Sequence, residues 1–147
     1  MTVDIHLQII DPSAQTFGET LTFDLANVIL VSGPQAVANQ WLKTFLTPKG
    51  TDPVYKESGT EFAYLMGSNI NDQLSLQALL SEYVEDAAEQ RRAIDRQNLS
   101  KPSSSRLRSA EIIQYTAIDS TRAEFWVQIF TQSGERVLVL IPYKASQ

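Results

Sequence analysis

Residues 123–143 of the chain read AEFWVQIFTQSGERVLVLIPY and are rich in Ile, Val, Phe, Trp and Tyr. Two apolar runs, at positions 123–132 and 136–143, meet at the polar segment Gln132-Ser133-Gly134-Glu135. β-Branched and aromatic residues are typical of strands, and a short glycine-containing segment between two strands is typical of a hairpin turn. The sequence therefore predicts an antiparallel β-hairpin in this region.

The two faces of the first predicted strand differ in polarity. One face is wholly apolar and consists of Ala123, Phe125, Val127 and Ile129. The other face mixes polar and aromatic side chains, which are Glu124, Trp126, Gln128 and Phe130. This second face is more hydrophobic than a solvated sheet face requires. We therefore expect a long helix on the apolar face, and a further covering on part of the other face or on an edge.

A third strand and a long helix precede this hairpin. Residues 107–118 are again rich in strand-forming side chains, so three antiparallel strands are predicted. Residues 72–98 carry an apolar face at helical spacing, with Asn71 as the cap, and would reach ~40 Å. That face consists of Leu76, Leu80, Tyr83, Val84, Ala87 and Ile94. The polar segment Lys101 to Ser105 is predicted to be a linker between helix and strands.

The first part of the chain predicts a hairpin and two shorter helices. Residues 3–10 alternate between apolar and polar, and residues 20–31 form a second extended run, so the two are expected to pair. A helix should follow, capped by Ser32 with Pro34 in its first turn, and it should end before Pro48. Its apolar stripe consists of Val37, Trp41, Leu42, Phe45 and Leu46. A short helical turn is expected near Phe62 to Met66.

These elements predict an α+β fold in a single domain, residues 1–147. An antiparallel C-terminal sheet packs against a long helix and shorter helices, and an N-terminal β-hairpin precedes them. Within this domain, residues 1–31 are the hairpin or extension, and residues 32–143 form the core.

Composition limits the classes of function. The 147 residues are 43% hydrophobic and 20% charged, which is close to average globular usage. The absence of cysteine excludes disulfides and thiolate metal sites. The net charge of −5 argues against general nucleic-acid binding. No apolar run approaches the ~20 residues of a membrane helix, and no signal peptide is evident. We expect no nucleic-acid or membrane partner, and synthesis in a cytoplasm.

Candidates for catalysis are few. His6 is the one histidine and lies on the polar side of its predicted strand, so neither a catalytic triad nor a multi-histidine metal site is available. Asp52, Glu57 and Glu61 lie close together in sequence and could in principle act as a glycosidase pair. The glycines stand singly, without a phosphate-binding loop. We therefore expect no catalytic residues, no cofactor and no metal.

A basic stretch lies at the end of the predicted long helix. Between positions 91 and 108 there are six basic residues and one acidic residue, Asp95. One interpretation is a solvated helix end and loop, and the other is a docking patch for an acidic partner. The patch would consist of Arg91, Arg92, Arg96, Arg106 and Arg108.

Residues 39–53 read NQWLKTFLTPKGTDP and are followed by Gly59 and Phe62. This segment resembles part of the baseplate wedge family of contractile-tailed phages, often called the sheath initiator and sometimes labelled lysozyme-like, with relatives in type VI secretion systems. In that family, a helix ends in a Leu-Thr-Pro-Lys-Gly-like turn. A glycine, a short helix, a long helix and a final set of strands follow. The same order is predicted here from about residue 34 to residue 143.

The resemblance implies a non-enzymatic scaffold in the virion, made in the host bacterial cytoplasm. Such a protein joins the baseplate wedge to the tail tube and offers a sheet edge to the tail sheath protein. The implied partners are thus the sheath protein and other wedge and tube proteins. An extended arm added to an exposed edge gains main-chain hydrogen bonds. The expected sheath-facing edge consists of Arg136, Val137, Leu138, Val139, Leu140, Ile141 and Tyr143.

Alternatives remain open from the sequence. Residues 136–143 could instead form an internal strand without a partner. The chain could be a virion-associated, lysozyme-like enzyme that cleaves carbohydrate through the carboxylates at positions 52, 57 and 61. It could also be a different tail-completion protein with a similar arrangement of helices and sheet.

Overall fold

The computed structural model describes residues 3–5, 30–65, 73–119 and 122–144. The elements in chain order are β1 (Val3–Ile5), β2 (Leu30–Ser32), α1 (Pro34–Leu46), α2 (Phe62–Leu65), α3 (Gln73–Gln97), β3 (Leu107–Ala117), β4 (Arg122–Thr131) and β5 (Arg136–Lys144). The strands β3, β4 and β5 form an antiparallel sheet in that order, packed with helices. The α+β prediction is confirmed at this level.

The predicted turn between β4 and β5 is present. The N–H of Thr131 donates to the carbonyl of Glu135 at 2.9 Å, and the N–H of Gly134 donates to the carbonyl of Thr131 at 3.0 Å. Gly134 has φ of 88°, a left-handed conformation that favours glycine in a three-residue hairpin loop. The register that follows is regular and pairs Val127 with Val139.

One face of the sheet forms the core together with the helices. The predicted apolar face of β4 is buried throughout, and it meets Trp41, Phe45 and Phe62 from the helices. The ring centroids of Phe45 and Phe62 are 4.5 Å apart, and those of Phe62 and Phe125 are 6.2 Å apart. The indole N–H of Trp41 donates to the carbonyl of Val84, which joins α1 to α3. Aromatic packing therefore ties α1 and α2 to the central strand, and the indole of Trp41 ties α1 to α3.

The long helix covers less of the sheet than the sequence predicted. α3 lies along β3, whereas α1 lies over β4 and β5. The predicted apolar face of α3 is buried at Leu76, Leu80, Val84 and Ala87, but Ile94 is 47% exposed. The inward position of the last turn belongs instead to Asp95, which is 5% exposed. Helical periodicity alone did not indicate that a buried carboxylate replaces an apolar side chain there.

The start of α1 differs from the predicted capping box. Ser32 is the last residue of β2, and Gly33 is the N-cap, with φ of 64° and no side-chain cap. Pro34 does occupy the first turn, as predicted. The chain passes directly from β2 into α1 at Gly33. The positive φ at this position favours glycine, so a glycine and not a serine is the capping residue.

The predicted linker between α3 and β3 is a packed connection. Residues 103–105 form a 3₁₀ turn, and Ser105 is buried. Asp95 accepts a hydrogen bond from the N–H of Leu107 at 2.9 Å and lies 3.3 Å from Nζ of Lys101. The expectation that this segment is too polar to pack was therefore wrong at Ser105. The N–H of Ser105 donates to the carbonyl of Pro102 within the turn, and Asp95 satisfies polar groups on either side of it.

The turn that follows α1 is fixed by short main-chain contacts. Thr60 donates from its N–H to the carbonyl of Thr47 at 2.9 Å, and its hydroxyl donates to the carbonyl of Phe45. The side-chain amide of Gln90 on α3 both accepts from the N–H of Gly59 and donates to its carbonyl. The segment that carries the family resemblance is thus held against the long helix by its backbone.

The predicted N-terminal hairpin falls largely outside the described residues. Within them, β1 pairs with β2 in antiparallel register, with Asp4 opposite Val31. The proposed strand interiors, together with His6, Asn71 and Met66, lie outside the described ranges. The hairpin as a whole therefore stays a prediction.

Candidate functional site

β5 is an edge strand of the described sheet. It pairs with β4 on one side, and no described residue pairs with its other side. The first hydrogen-bonded pair of this ladder is Thr131 with Glu135. Because bonded and non-bonded pairs alternate in an antiparallel ladder, Val137, Val139, Ile141 and Tyr143 bond to β4. The main-chain groups of the intervening residues, Arg136, Leu138, Leu140, Pro142 and Lys144, point away from β4.

Pro142 limits how far this edge can pair. Pro142 is one of the residues whose main-chain groups point away from β4, so its missing N–H removes no bond to β4. Proline is tolerated at such positions of an edge strand. The outward N–H donors before it are those of Arg136, Leu138 and Leu140. An incoming strand therefore finds a continuous row over residues 136–140 and a break at residue 142. The sequence analysis did not identify this limit, although the proline was visible.

The side chains of the predicted edge face two directions. Val139, Ile141 and Tyr143 are buried in the core, and the hydroxyl of Tyr143 donates to the carbonyl of Leu65 at 2.9 Å. Val137 is partly buried against the same core. The side chains of Arg136, Leu138 and Leu140 lie on the opposite face of the sheet. A partner strand could therefore use the outward main-chain groups of Arg136, Leu138 and Leu140, and it would meet the side chains of the same three residues.

The outer face of the sheet is half-buried and largely apolar beside β5. Cross-strand register places Trp126 next to Leu140, Gln128 next to Leu138 and Phe130 next to Arg136. One carboxylate, Glu124, lies on this face beside Pro142. Burial raises the pKa of the Glu124 carboxyl, and its Oε2 makes no hydrogen bond within the described part of the chain.

The opposite edge, β3, is less regular. Its pairing with β4 shifts between Leu107 and Ser109 and again between Ile112 and Gln114, and Ile113 is 49% exposed at the second shift. Bulges of this kind twist an edge and interrupt its row of main-chain groups. β5 has no such shift, so it is the edge better suited to accept a strand.

The predicted basic docking patch is partly neutralised within the fold. Arg92 forms ion pairs with Glu85 and Glu89, and Arg96 pairs with Glu89 at 2.7 Å. Hydrogen bonds from Arg96 and Arg92 lower the pKa of Glu89. Arg91 donates to Oε1 of Gln40 on α1. The predicted patch was counted from residue 91 onward, which left out Glu89 and Glu85, about one and two helical turns before Arg92. Residues at this spacing lie on the same face of a helix, so the sequence could have indicated these ion pairs.

Two members of the patch stand apart from these ion pairs. Arg106 and Arg108 lie at the entry to β3, and the side chain of Arg108 is exposed. Neither has an ion-pair partner among the described residues. Within the described part of the chain, Arg92 and Arg96 are therefore paired with acids, whereas Arg106 and Arg108 are not.

Neither of the two described cavities brings the candidate hydrolytic carboxylates together. Oδ1 of Asp52 accepts hydrogen bonds from the N–H groups of Tyr55 and Val54, which lower its pKa. Glu57 and Glu61 are exposed. A cavity of about 260 Å³ adjoins Asp52, and its described lining contains no second carboxylate. A glycosidase needs two carboxyl groups flanking one bond, with one pKa raised.

Broader searches for a site or a relative add no assignment. Within the described ranges, no group of three or more His, Asp or Glu side chains could hold a metal ion. None of the described helices is long and apolar enough to span a membrane. Comparisons of the chain with protein-family models, curated proteins and solved structures found no match.

Proposed function

We propose that this chain is a non-enzymatic component of a phage contractile-tail baseplate that joins the wedge to the tail and starts sheath assembly. In this proposal, an extended arm of the sheath protein adds to β5 as a fourth strand. The supporting observation is the regular outer edge of β5, whose main-chain groups have no partner in the described part of the chain. The resemblance of residues 39–62 to the sheath-initiator family supplies the identity of the partner.

The energetics of such an addition are modest for a single arm. Each main-chain hydrogen bond contributes a net ~1 kcal/mol, and three outward donors precede Pro142. Ordering an extended arm costs ~1–2 kcal/mol per residue, which opposes this gain. Side-chain burial against Leu138, Leu140 and Trp126 would therefore have to contribute, at ~25 cal/mol per Å² of apolar surface. The half-buried outer face next to the edge provides that surface.

The proposal is tested by assembly. The chain is produced with the sheath protein and with the tube and wedge proteins of the same phage, and the particles are imaged by electron microscopy. We expect ordered sheath on baseplates that contain the chain and bare tubes when it is omitted. Ordered sheath of equal length and frequency in its absence would contradict the proposal.

Removal of residues 136–147 is not a suitable variant for this assay. Val139, Ile141 and Tyr143 contribute buried side chains to the core, so the deletion would unfold the protein as well as remove the edge. A variant that changes the outward main-chain groups and leaves the core intact is required.

A further inference from the structure

A small cavity opens where the end of α3 meets the start of β3 and the turn after β4. It has a volume of about 160 Å³ and is lined by Arg92, Asp95, Arg96, Arg106, Leu107 and Gln132. Pockets for whole small molecules are usually larger, ~300–1,000 Å³. The cavity is therefore of a size suited to a single chemical group.

The ion pairs around this cavity leave one positive charge uncompensated. Arg92 and Arg96 are balanced by Glu85 and Glu89. Asp95 is balanced by Lys101. Arg106 is the lining residue that has no ion-pair partner among the described residues. When these ion-pair partners are counted together with the lining, the described residues around the cavity carry a net charge of +1.

The guanidinium of Arg106 also has unused hydrogen-bonding capacity, on a residue whose backbone is held in place. Its Nε is buried and makes no hydrogen bond within the described part of the chain. The backbone of Arg106 is held at both ends, because its N–H donates to the carbonyl of Ser103 and its carbonyl accepts from the N–H of Gln132. A ligand in the cavity would reach the terminal Nη groups of Arg106 and not the buried Nε. These Nη groups make no hydrogen bond within the described part of the chain, so they are available to a negatively charged acceptor.

We propose that this cavity binds the carboxylate of an Asp or Glu side chain from a protein partner, with Arg106 as its main ligand. A monoanion matches the single uncompensated charge, and a planar carboxylate matches the guanidinium fork. A phosphate dianion would leave negative charge unbalanced next to Asp95. This inference concerns a surface separate from β5 and does not rest on the proposed role in sheath assembly.

The test uses acetate as the probe on the isotope-labelled full chain. Amide resonances of Leu107 and Gln132 are followed by NMR during titration with sodium acetate, at constant ionic strength maintained with chloride. We expect saturable shifts in the native protein, loss of saturation in R106Q, and retention in R108Q. R108Q is the matched control, because it removes the same charge from an exposed position two residues further along the chain. R106K, which keeps the charge but not the fork, is expected to bind several-fold more weakly.

Several results would overturn the inference. Linear shifts of equal size in the native protein and in R106Q would show an adventitious ion effect only. Equal losses in R106Q and R108Q would indicate general charge screening instead of a site. A parallel titration with inorganic phosphate that saturates at lower concentration than acetate would reject a carboxylate as the ligand.

Discussion

At the scale of single residues, Gly59 has the strictest requirement among the glycines that the structure describes. Its φ is 100°, and a Cβ built on it would lie 2.3 Å from the carbonyl oxygen of Thr47. That oxygen accepts the N–H of Thr60, so it cannot move away without losing the turn. We expect G59A to lower the free energy of unfolding by about 3 kcal/mol, the upper end of the cost of a strained backbone residue. Urea denaturation measures this loss.

Gly50 provides the matched control for that substitution. It also has a positive φ, 88°, but nothing lies within 4 Å of a built Cβ. G50A should therefore cost only the conformational strain, about 1 kcal/mol. Equal losses in the two variants would show that the close approach to Thr47 does not matter.

The sequence could predict some residue-level features and not others. The glycine and proline positions of the 46–60 turn were evident, because those residues restrict the backbone directly. The clamp from Gln90 to Gly59 was not, because it joins residues 31 positions apart across two elements. The neutralisation of Arg92 and Arg96 was available from helical spacing, provided that the count included Glu85 and Glu89.

At the scale of elements, β4 carries a charged group in an unfavourable place. Glu124 has a raised pKa because it is partly buried, so the folded state binds its proton more tightly than the unfolded state does. Stability contributed by this group should fall as pH rises from the unfolded pKa, about 4.3, through the higher folded value. Above that window the ionised carboxylate destabilises the fold.

We therefore expect E124Q to be more stable than the native protein at pH 7, with the difference disappearing below about pH 4. Thermal unfolding across pH 3–8 measures this. Glu111 lies on the same face of the sheet but is exposed, so E111Q should show little change and serves as the control. If the native protein is instead more stable than E124Q at pH 7, the ionised carboxylate of Glu124 stabilises the folded state, which would contradict this prediction.

Element boundaries were predictable where local patterns determine them. The three strands and α3 were placed within a few residues because alternation and helical spacing persist over their whole lengths. The cap of α1 and the connection at residues 98–106 were missed. Both depend on tertiary contacts: the direct passage from β2 into α1, and the buried Asp95 that accepts the N–H of Leu107.

At the scale of the whole molecule, β5 has no neighbouring strand on its outer side among the residues that the structure describes, and β3 is irregular. The uninterrupted apolar run of residues 137–141 indicated that both faces were at least partly covered. It could not indicate which residues of β5 direct their main-chain groups outward. The hairpin loop and Gly134 determine this, because they fix which residues of β5 bond to β4. Edge position, regularity and outward donors together make β5 the proposed point of attachment.

The most direct measurement uses L138P and L138A in the sheath-assembly assay. Proline at residue 138 removes an outward N–H and spares the bonds to β4. Pro142 already occupies an equivalent outward position on this strand, so the fold should persist. L138A removes the side chain and keeps the N–H. Unfolding midpoints confirm that both variants are folded.

We expect sheath attachment to be lost in L138P and largely retained in L138A. This result would assign the attachment to the main-chain row of β5. Normal attachment of sheath to a folded L138P protein would contradict the account, because the sheath would then not require the edge of this strand.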